Sequence, residues 1–448
     1  MTKRATAILL MFILSSGIAL FWGLVQASSA RDVIFDYRVM DLGARCLLRH
    51  GDLYSQTDMM RVYDSEDRDH LRAQQPTSGA RYLAAIQVYP PTAELVFAPF
   101  ALLPWRIAYP FWIALTLSSL TLAVFLIWQT AQQYDSDLPF YLGCIVLANS
   151  GIIFSGGNPA GLVVSLCIIS VWCVFQERFA AVAVVCMALS LAVKPHDGGV
   201  IWLYLLLLGG RFRRRALQCL ALCFALGIAA SLWVWQVSPH WITELRSNIA
   251  TISTAGSYND PAGSVTALMV NLQPAIALFR NDPQFYNALS YLICAPILIC
   301  WLVLTLRGQH AEEGIWLGLA VCAVLSLLPV YHRPYDAKIL VLTFPACAAL
   351  WARRGPIAWT AICLTSASVL LTSDLPVAAL SNPNLLHLAV VALGHRLGLL
   401  LITRPASLVL LATSFFYLWA YSRSSVMKGA SAARPPETSN VQSALSAG

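Results

Sequence analysis

The sequence predicts an all-α polytopic membrane protein with about twelve membrane-spanning helices and a long first outer loop. Of its 448 residues, 58% are hydrophobic and only 11% are Asp, Glu, Lys or Arg, against about 25% charged residues in soluble domains. The mean hydropathy of +0.66 leaves too little polar surface to cover a water-soluble fold. The predicted surroundings are therefore membrane lipids. The modest net charge of +7 argues against a nucleic-acid partner.

The first predicted span follows Lys3 and Arg4 and runs from Ala5 to about Gln26. The small residues at 27–30 resemble a signal-peptidase site, so a cleaved signal peptide is the alternative. The apolar run is about twice as long as the hydrophobic region of a signal peptide. It is also long enough to cross a bilayer, which favours a retained helix.

Eleven further apolar segments complete the predicted set of spans. They lie near residues 107–129, 138–155, 160–175, 179–193, 198–210, 216–237, 284–306, 314–331, 338–352, 356–373 and 398–421. Basic residues in short loops favour the cytoplasmic side. With Lys3 and Arg4 inside, the Arg211–Arg215 cluster falls on the same side. The sequence thus predicts a multi-pass protein of the inner (plasma) membrane with both termini cytoplasmic.

Acidic residues crowd into the outer loop, residues 27–106, between the first two spans. The stretch from Asp32 to Asp69 holds nine of the 22 acidic residues of the chain. In the last part of the loop, residues 90–104, an apolar segment of eleven residues, 93–103, ends at Pro104. Eleven helical residues cover only about 16 Å, which favours a re-entrant or interfacial helix. Whether this segment re-enters or spans is left open by the sequence.

Asp36 lies just after the first span, where a carboxylate has a clear chemical use. Its neighbours Phe35 and Tyr37 would partly desolvate the carboxylate, and Arg38 would offset the resulting rise in its pKa. A carboxylate placed at the membrane surface can take the proton of an attacking hydroxyl group. The alternative is an exposed loop aspartate without a chemical role.

Few cationic groups lie on the outer side of the predicted spans. Lys194 follows one span, and His332 and Arg333 follow another. Lys and Arg side chains can bind phosphate oxygens. Alternatively, these residues only anchor helix ends by extending to the membrane surface.

Asn158 belongs to the turn Gly156-Gly157-Asn158-Pro159, which breaks the predicted helices on the outer side. It is a further candidate for binding substrate, or simply part of the turn. The sequence contains no C-x-x-C pair and no evident cluster of His and carboxylate residues with metal-ligand spacing. We therefore predict no cofactor and no tightly bound metal.

Short motifs occur along the chain in an order that resembles a known family. They are Asp36-Tyr37, Ala44-Arg45, Gly51-Asp52-Leu53-Tyr54, Tyr89-Pro90-Pro91, Ala101-Leu102-Leu103-Pro104, Gly157-Asn158, Leu191-Ala192-Val193-Lys194-Pro195 and His332. The family is glycosyltransferase family 87, the polyprenol-phosphate-mannose-dependent mannosyltransferases with the GT-C membrane fold. Each motif is short, and the similarity rests on their order and spacing.

The resemblance implies a hexosyltransferase acting at the periplasmic face. The donor would be a polyprenyl-phosphate sugar, most often of mannose, and the acceptor a hydroxyl group of a lipid or glycan. Asp36 would be the catalytic base and His332 a contact to donor phosphate or acceptor. Tyr89, Asn158, Lys194 and Arg333 are the other predicted substrate-binding residues.

Three positions depart from the family pattern near the predicted base. Tyr37 stands where Phe is usual, and Met40-Asp41 stands where a Tyr pair is common. Asp41 therefore remains a rival base. With a single base and no second carboxylate as nucleophile, inversion by one displacement is expected.

We divide the chain into three predicted parts: a catalytic transmembrane module (1–237) that includes the loop 27–106, C-terminal transmembrane helices (238–424) and a disordered cytoplasmic tail (425–448). A transporter or glycolipid flippase is the main alternative function, and an inactive structural protein of the same fold is another. Transporters carry charged residues at the membrane midplane. Here the spans are nearly free of charge, which favours chemistry at one membrane face.

Overall fold

The computed structural model describes residues 3–29, 36–70, 82–135, 137–254, 256–257, 259–263, 269–308, 311–376 and 395–432. Over these residues the chain forms α-helices and one 3-10 helix, with no β-strand. The predicted all-α polytopic class is thereby confirmed.

The helices vary widely in length. In chain order they are α1 (Lys3–Ser29), α2 (Asp36–Leu48), α3 (Gln56–His70), α4 (Pro91–Ala101), α5 (Trp105–Ala131), α6 (Leu138–Ala148), α7 (Gly151–Gly156), α8 (Ala160–Phe175), α9 (Ala180–Val193), α10 (Pro195–Leu208), α11 (Gly210–Trp235), α12 (Trp241–Ser253), α13 (Leu272–Ala277), α14 (Pro283–Arg307), α15 (Glu312–Leu325), the 3-10 helix (Asp336–Thr343), α16 (Phe344–Ala352), α17 (Pro356–Leu371), α18 (His395–Thr403) and α19 (Pro405–Ala432).

Each of the predicted spans overlaps one helix or two consecutive ones, although the helix in the span 314–331 already ends at Leu325. Among the described residues, six segments are long and apolar enough to cross a bilayer individually: Lys3–Ala27, Trp105–Ala131, Leu138–Gly156, Gly210–Trp235, Pro283–Arg307 and Pro405–Ser424. Helix α19 continues to Ala432, into the segment from 425 that the sequence suggests is a disordered tail. Residues 433–448 lie outside the described part.

The helix ends gather at two opposite ends of the bundle. At one end, Arg4 at the start of α1 pairs with Asp137 before α6 at 2.9 Å, and Arg353 after α16 pairs with Glu313 in α15 at 2.6 Å. The other end, which we call the site end, holds the beginning of α2 and the loops that follow α7, α9 and α15. All six predicted site residues belong to the site end.

Helix α4 accounts for the apolar segment whose path the sequence left open. It has 11 residues, so by length it does not cross a bilayer. It packs against α2, α9 and α11, and the Thr92 hydroxyl donates a hydrogen bond to the Ala192 carbonyl at 2.5 Å. Inside the helix, buried Glu94 accepts a hydrogen bond from Gln87 at 2.7 Å. This short helix therefore braces the site end from within the protein.

Candidate functional site

A cavity of about 580 Å³ opens at the site end of the bundle. Its walls come from the first turn of α2, residues 83–90, the junction of α9 and α10, the helix α12, residues 259–261 and 269–273, α14, Tyr331 and Tyr335. We call the lining residues Leu83, Ile86 and three apolar residues of α12 the apolar wall, and the charged and phenolic lining residues the polar side. A cavity with an apolar wall and convergent polar groups is typical of a substrate site.

Asp36 lies at the cavity because its neighbour Tyr37 packs inside a cluster of aromatic rings. The ring of Tyr37 is fully buried. It packs at centroid distances of 5.5–6.1 Å against the rings of Phe97, Trp105, Tyr109 and Trp112. Since Tyr37 cannot move without disrupting this packing, the first turn of α2 and its carboxylate are held in place.

A hydrogen bond from Asn158 orients the Asp36 carboxylate. Gly157 ends α7 with a φ of 64°, a left-handed conformation that suits glycine, and its carbonyl accepts a hydrogen bond from the Trp112 indole at 2.9 Å. Asn158 Oδ1 accepts the N–H of Ala160 at 2.8 Å. This contact orients the amide so that Nδ2 donates to Asp36 Oδ2 at 2.6 Å.

Two opposing effects act on the pKa of Asp36. Burial raises the pKa of Asp36 above its usual value, while the hydrogen bond from Asn158 and the positive charges of Arg333 and Lys194 act against that rise. Asp36 and Tyr89 both line the cavity. A carboxylate with a raised pKa is a stronger base than a solvated aspartate.

Lys194 lies at the junction of α9 and α10 and links two loops of the site end. Its Nζ forms a buried ion pair with Asp336 Oδ1 and lies 3.5 Å from Asp197 Oδ2. The other oxygen of Asp336 accepts the backbone N–H of Arg333 at 2.7 Å. Because breaking a buried ion pair is costly, this pair fixes the two loops relative to each other.

His332 and Arg333 complete the polar side of the cavity. His332 is fully buried; its Nδ1 lies 3.0 Å from the Val330 carbonyl and its Nε2 lies 3.5 Å from Asp197 Oδ1. The Arg333 guanidinium donates to the Tyr331 hydroxyl at 2.6 Å and to Asn259 Oδ1 at 3.2 Å. Tyr331 and Asn259 both line the cavity, so Arg333 lies directly behind the lining.

The structure thus brings together all six residues singled out in the sequence. Asp36, Tyr89 and Lys194 line the cavity; Asn158 bonds to Asp36; and His332 and Arg333 contact residues of its polar side. Their roles in substrate binding and catalysis remain predictions.

Asp41, the rival base, faces away from the cavity. Five helical residues correspond to a rotation of about 140° relative to Asp36. The carboxylate of Asp41 pairs with Arg45 at 2.8 Å, and the Arg45 guanidinium also donates to the Leu103 carbonyl at 2.7 Å. Next to them, burial and then the charge of Asp41 raise the pKa of Glu94 well above its usual value. These contacts make Asp41 part of a buried polar cluster that joins α2 to α4.

Three potential metal ligands come together that the sequence analysis did not connect. The ligand atoms of His196, Asp197 and His332 all lie within 4.8 Å of one another. The first two are adjacent in the sequence, whereas His332 lies more than a hundred residues later, so no spacing motif could reveal the group. The sequence likewise did not indicate Asp336 as a site residue, because it is far in sequence from Lys194, with which it pairs.

Comparison with known proteins points to one family. The model of glycosyltransferase family 87 matches residues 88–330, which is more than half of the chain and includes Tyr89, Asn158 and Lys194. No curated protein and no solved structure matches the chain. A glycosyltransferase is thereby indicated in place of the transporter that the sequence left as the main alternative. The chain belongs to glycosyltransferase family 87 and is a membrane glycosyltransferase.

Proposed function

We propose that the enzyme transfers a hexose, specifically mannose, from a polyprenyl phosphate to a hydroxyl group of a lipid or glycan acceptor, with inversion at the anomeric carbon. The observation that carries this proposal is the Asp36 carboxylate at the cavity wall. It is oriented by Asn158 at 2.6 Å, and Lys194 lines the same cavity.

Asp36 serves as the general base. It takes the proton of the acceptor hydroxyl while that oxygen forms a bond to the anomeric carbon. The bond from this carbon to the phosphate oxygen breaks, and its electron pair leaves with the polyprenyl phosphate. A single displacement of this kind inverts the anomeric configuration.

Two cationic side chains at the polar side of the cavity, Lys194 and Arg333, help to stabilise the leaving phosphate. Both side chains are buried; Lys194 lies 5.2 Å from the centre of the Tyr335 ring, Arg333 bonds to Tyr331, and both tyrosines line the cavity. Charged donors that are fixed before the reaction stabilise a developing negative charge without reorganisation. His332, behind Tyr331, supplies a further group for the donor phosphate.

The apolar wall supports a lipid-linked donor. Helix α12 buries none of its residues completely, yet Leu245, Ile249 and Ile252 line the cavity and Ile242 is 51% exposed. A helix with apolar side chains on both the cavity side and the outside suits the membrane interface. A polyprenyl chain lying along this helix, and the sugar attached to it, would both be removed from contact with water.

We assign the site end to the periplasmic face. The Arg211–Arg215 cluster lies at the start of α11, whereas Lys194 lies at the opposite end of the adjoining helix α10. Basic loop residues favour the cytoplasmic side, so the cavity faces outward and both chain termini lie in the cytoplasm.

A labelled-donor assay on membranes tests the proposal. Membranes containing the enzyme are incubated with polyprenyl-phosphate mannose, glucose or arabinose, or with a nucleotide sugar. We expect label from polyprenyl-phosphate mannose to enter a lipid or glycan product. Membranes without the enzyme provide the background. Transfer from the nucleotide sugar alone, or from no donor, would refute the proposed donor class.

A further inference from the structure

We infer that His196, Asp197 and His332 bind a divalent transition-metal ion, such as Mn²⁺ or Zn²⁺, at the polar side of the cavity. Ion binding itself does not depend on the proposed function. The role of the ion, which is to offset the charge of the donor phosphate, does rest on it.

The distances between the ligand atoms suit a common metal ion. His196 Nε2 and His332 Nε2 lie 3.4 Å and 3.5 Å from Asp197 Oδ1. Two ligands bound at about 2.1 Å with tetrahedral angles are about 3.4 Å apart. The three atoms all lie within 4.8 Å of one another, so modest rotation of the imidazole rings closes the set around one ion.

The ligand atoms are buried but lack hydrogen bonds. Within the described part of the chain, His196 Nε2, His332 Nε2 and both carboxylate oxygens of Asp197 have no hydrogen-bond partner. Buried polar atoms nearly always have one. Asp197 Oδ2 lies 3.5 Å from the Lys194 ammonium, so the three atoms that point to a bound ion are His196 Nε2, His332 Nε2 and Asp197 Oδ1.

The tautomer of His332 directs a lone pair towards Asp197. Its Nδ1 lies 3.0 Å from the Val330 carbonyl oxygen, and a carbonyl can only accept, so Nδ1 carries the proton. In the neutral ring, Nε2 then presents a lone pair to the Asp197 carboxylate. A cation between the two atoms removes this repulsion. Histidines that bind metals characteristically donate their other ring N–H to such a partner.

The charge of the site also favours a cation. Among the residues that the structure describes, the three carboxylates of Asp36, Asp197 and Asp336 lie near two cations, Lys194 and Arg333. When the three carboxylates are ionised and both imidazoles are neutral, these groups carry one excess negative charge, which opposes the binding of a phosphate group. A bound divalent ion reverses the sign of this charge.

The ligand set distinguishes between classes of ion. Two imidazoles and one carboxylate suit Zn²⁺, Mn²⁺ or another transition metal, whereas Mg²⁺ and Ca²⁺ prefer oxygen ligands alone. Three protein ligands leave at least one coordination position open, and His196 lines the cavity. The open position is therefore accessible to a phosphate oxygen.

Lys194 limits the affinity of this site without excluding the ion. Its Nζ lies near Asp197 Oδ2 and not near the Oδ1 that faces both histidines. Its positive charge repels a nearby metal ion, so we expect an exchangeable ion that chelators remove.

The test is a binding titration on the full chain, purified in detergent with any affinity tag removed and stripped with EDTA. CoCl₂ serves as the probe because visible absorption reports its coordination by nitrogen and oxygen. We expect one Co²⁺ per chain, displaced by Zn²⁺. His196→Gln and His332→Gln should each weaken binding at least tenfold, since even changes to residues behind a metal ligand cost about 10- to 100-fold.

His240→Gln is the matched control, because His240 is exposed and lies outside the cavity lining. Size-exclusion profiles and thermal unfolding of the stripped proteins establish that each variant is folded. If His332→Gln does not fold, His196→Gln alone decides, since its side chain is 37% exposed. Absence of saturable binding, or equal binding in wild type and folded His196→Gln, overturns the inference. No sugar donor is present, so this result is independent of the transfer assay.

Discussion

The hydrogen bond from Asn158 to Asp36 makes the pH dependence of transfer a test of the proposed base. Asn158→Ala removes the donor 2.6 Å from Asp36 Oδ2. Burial raises the pKa of Asp36, and this hydrogen bond is the strongest of the interactions that lower it. The substitution therefore raises the pKa of Asp36 further.

The size of this shift follows from the strength of the bond. Hydrogen bonds to charged groups contribute about 1.5–3 kcal/mol, and one pKa unit corresponds to about 1.4 kcal/mol. We expect a rise of about one to two units. Because the base must be ionised, activity is lost as the pH falls through this pKa, and in Asn158→Ala the loss begins at higher pH. At alkaline pH the variant recovers most of its activity.

The assay is kcat/KM for the labelled donor as a function of pH, within the range where both proteins stay folded. Asn149→Ala is the control, since within the described part of the chain this side-chain amide bonds to the Ile145 carbonyl of the preceding helix. Thermal unfolding measures the separate loss of the Ala160 contact, about 1 kcal/mol. The reasoning is refuted if kcat/KM of Asn158→Ala begins to fall at the same acidic pH as in wild type while its maximal value is lower.

The remaining predictions concern the residues around the base. Asp41→Asn should keep transfer within tenfold of wild type, because Asp41 pairs with Arg45 away from the cavity; a loss as large as in Asp36→Asn would reverse the assignment. Gly157→Ala should lower both the melting temperature and transfer. A residue with a side chain at this φ of 64° costs about 1 kcal/mol or more, and its Cβ would lie 2.9 Å from Tyr37 Cβ; unchanged stability would contradict this. Lys194→Met leaves Asp197 and Asp336 buried without their cation and should destabilise the protein by about 3–5 kcal/mol. Adding Asp336→Leu should restore part of this loss, and no recovery would argue against the ion pair.

The sequence predicts the spans well because long apolar runs have few alternatives in a bilayer. Each predicted span overlaps a helix or helix pair, and α4 has the length expected of a segment too short to cross. Helix ends were less predictable where a span is divided. The break between α6 and α7 at Asn149 depends on contacts such as the bonds from the backbone of residues 151 and 152 to Asp374, which are remote in sequence.

Site residues were predictable where a polar or charged side chain lies next to the end of a predicted span. Asp36, Lys194 and Asn158 each stand out beside a helix break on one predicted face. Pairings between distant loops were not predictable, because neither spacing nor composition shows that Asp336 reaches Lys194 or that His332 meets Asp197. The orientation of α2 likewise depends on the packing of Tyr37. This orientation places Asp36 at the cavity and Asp41 away from it.

The central claim is that Asp36 removes the acceptor proton, and Asp36→Asn tests it most directly. The amide keeps the shape of the side chain and still accepts the hydrogen bond from Asn158, but it cannot take a proton. General bases contribute about 10²- to 10⁴-fold to rates, so transfer from polyprenyl-phosphate mannose should fall by that factor while the melting temperature is maintained. Turnover within tenfold of wild type in the folded variant would contradict the account.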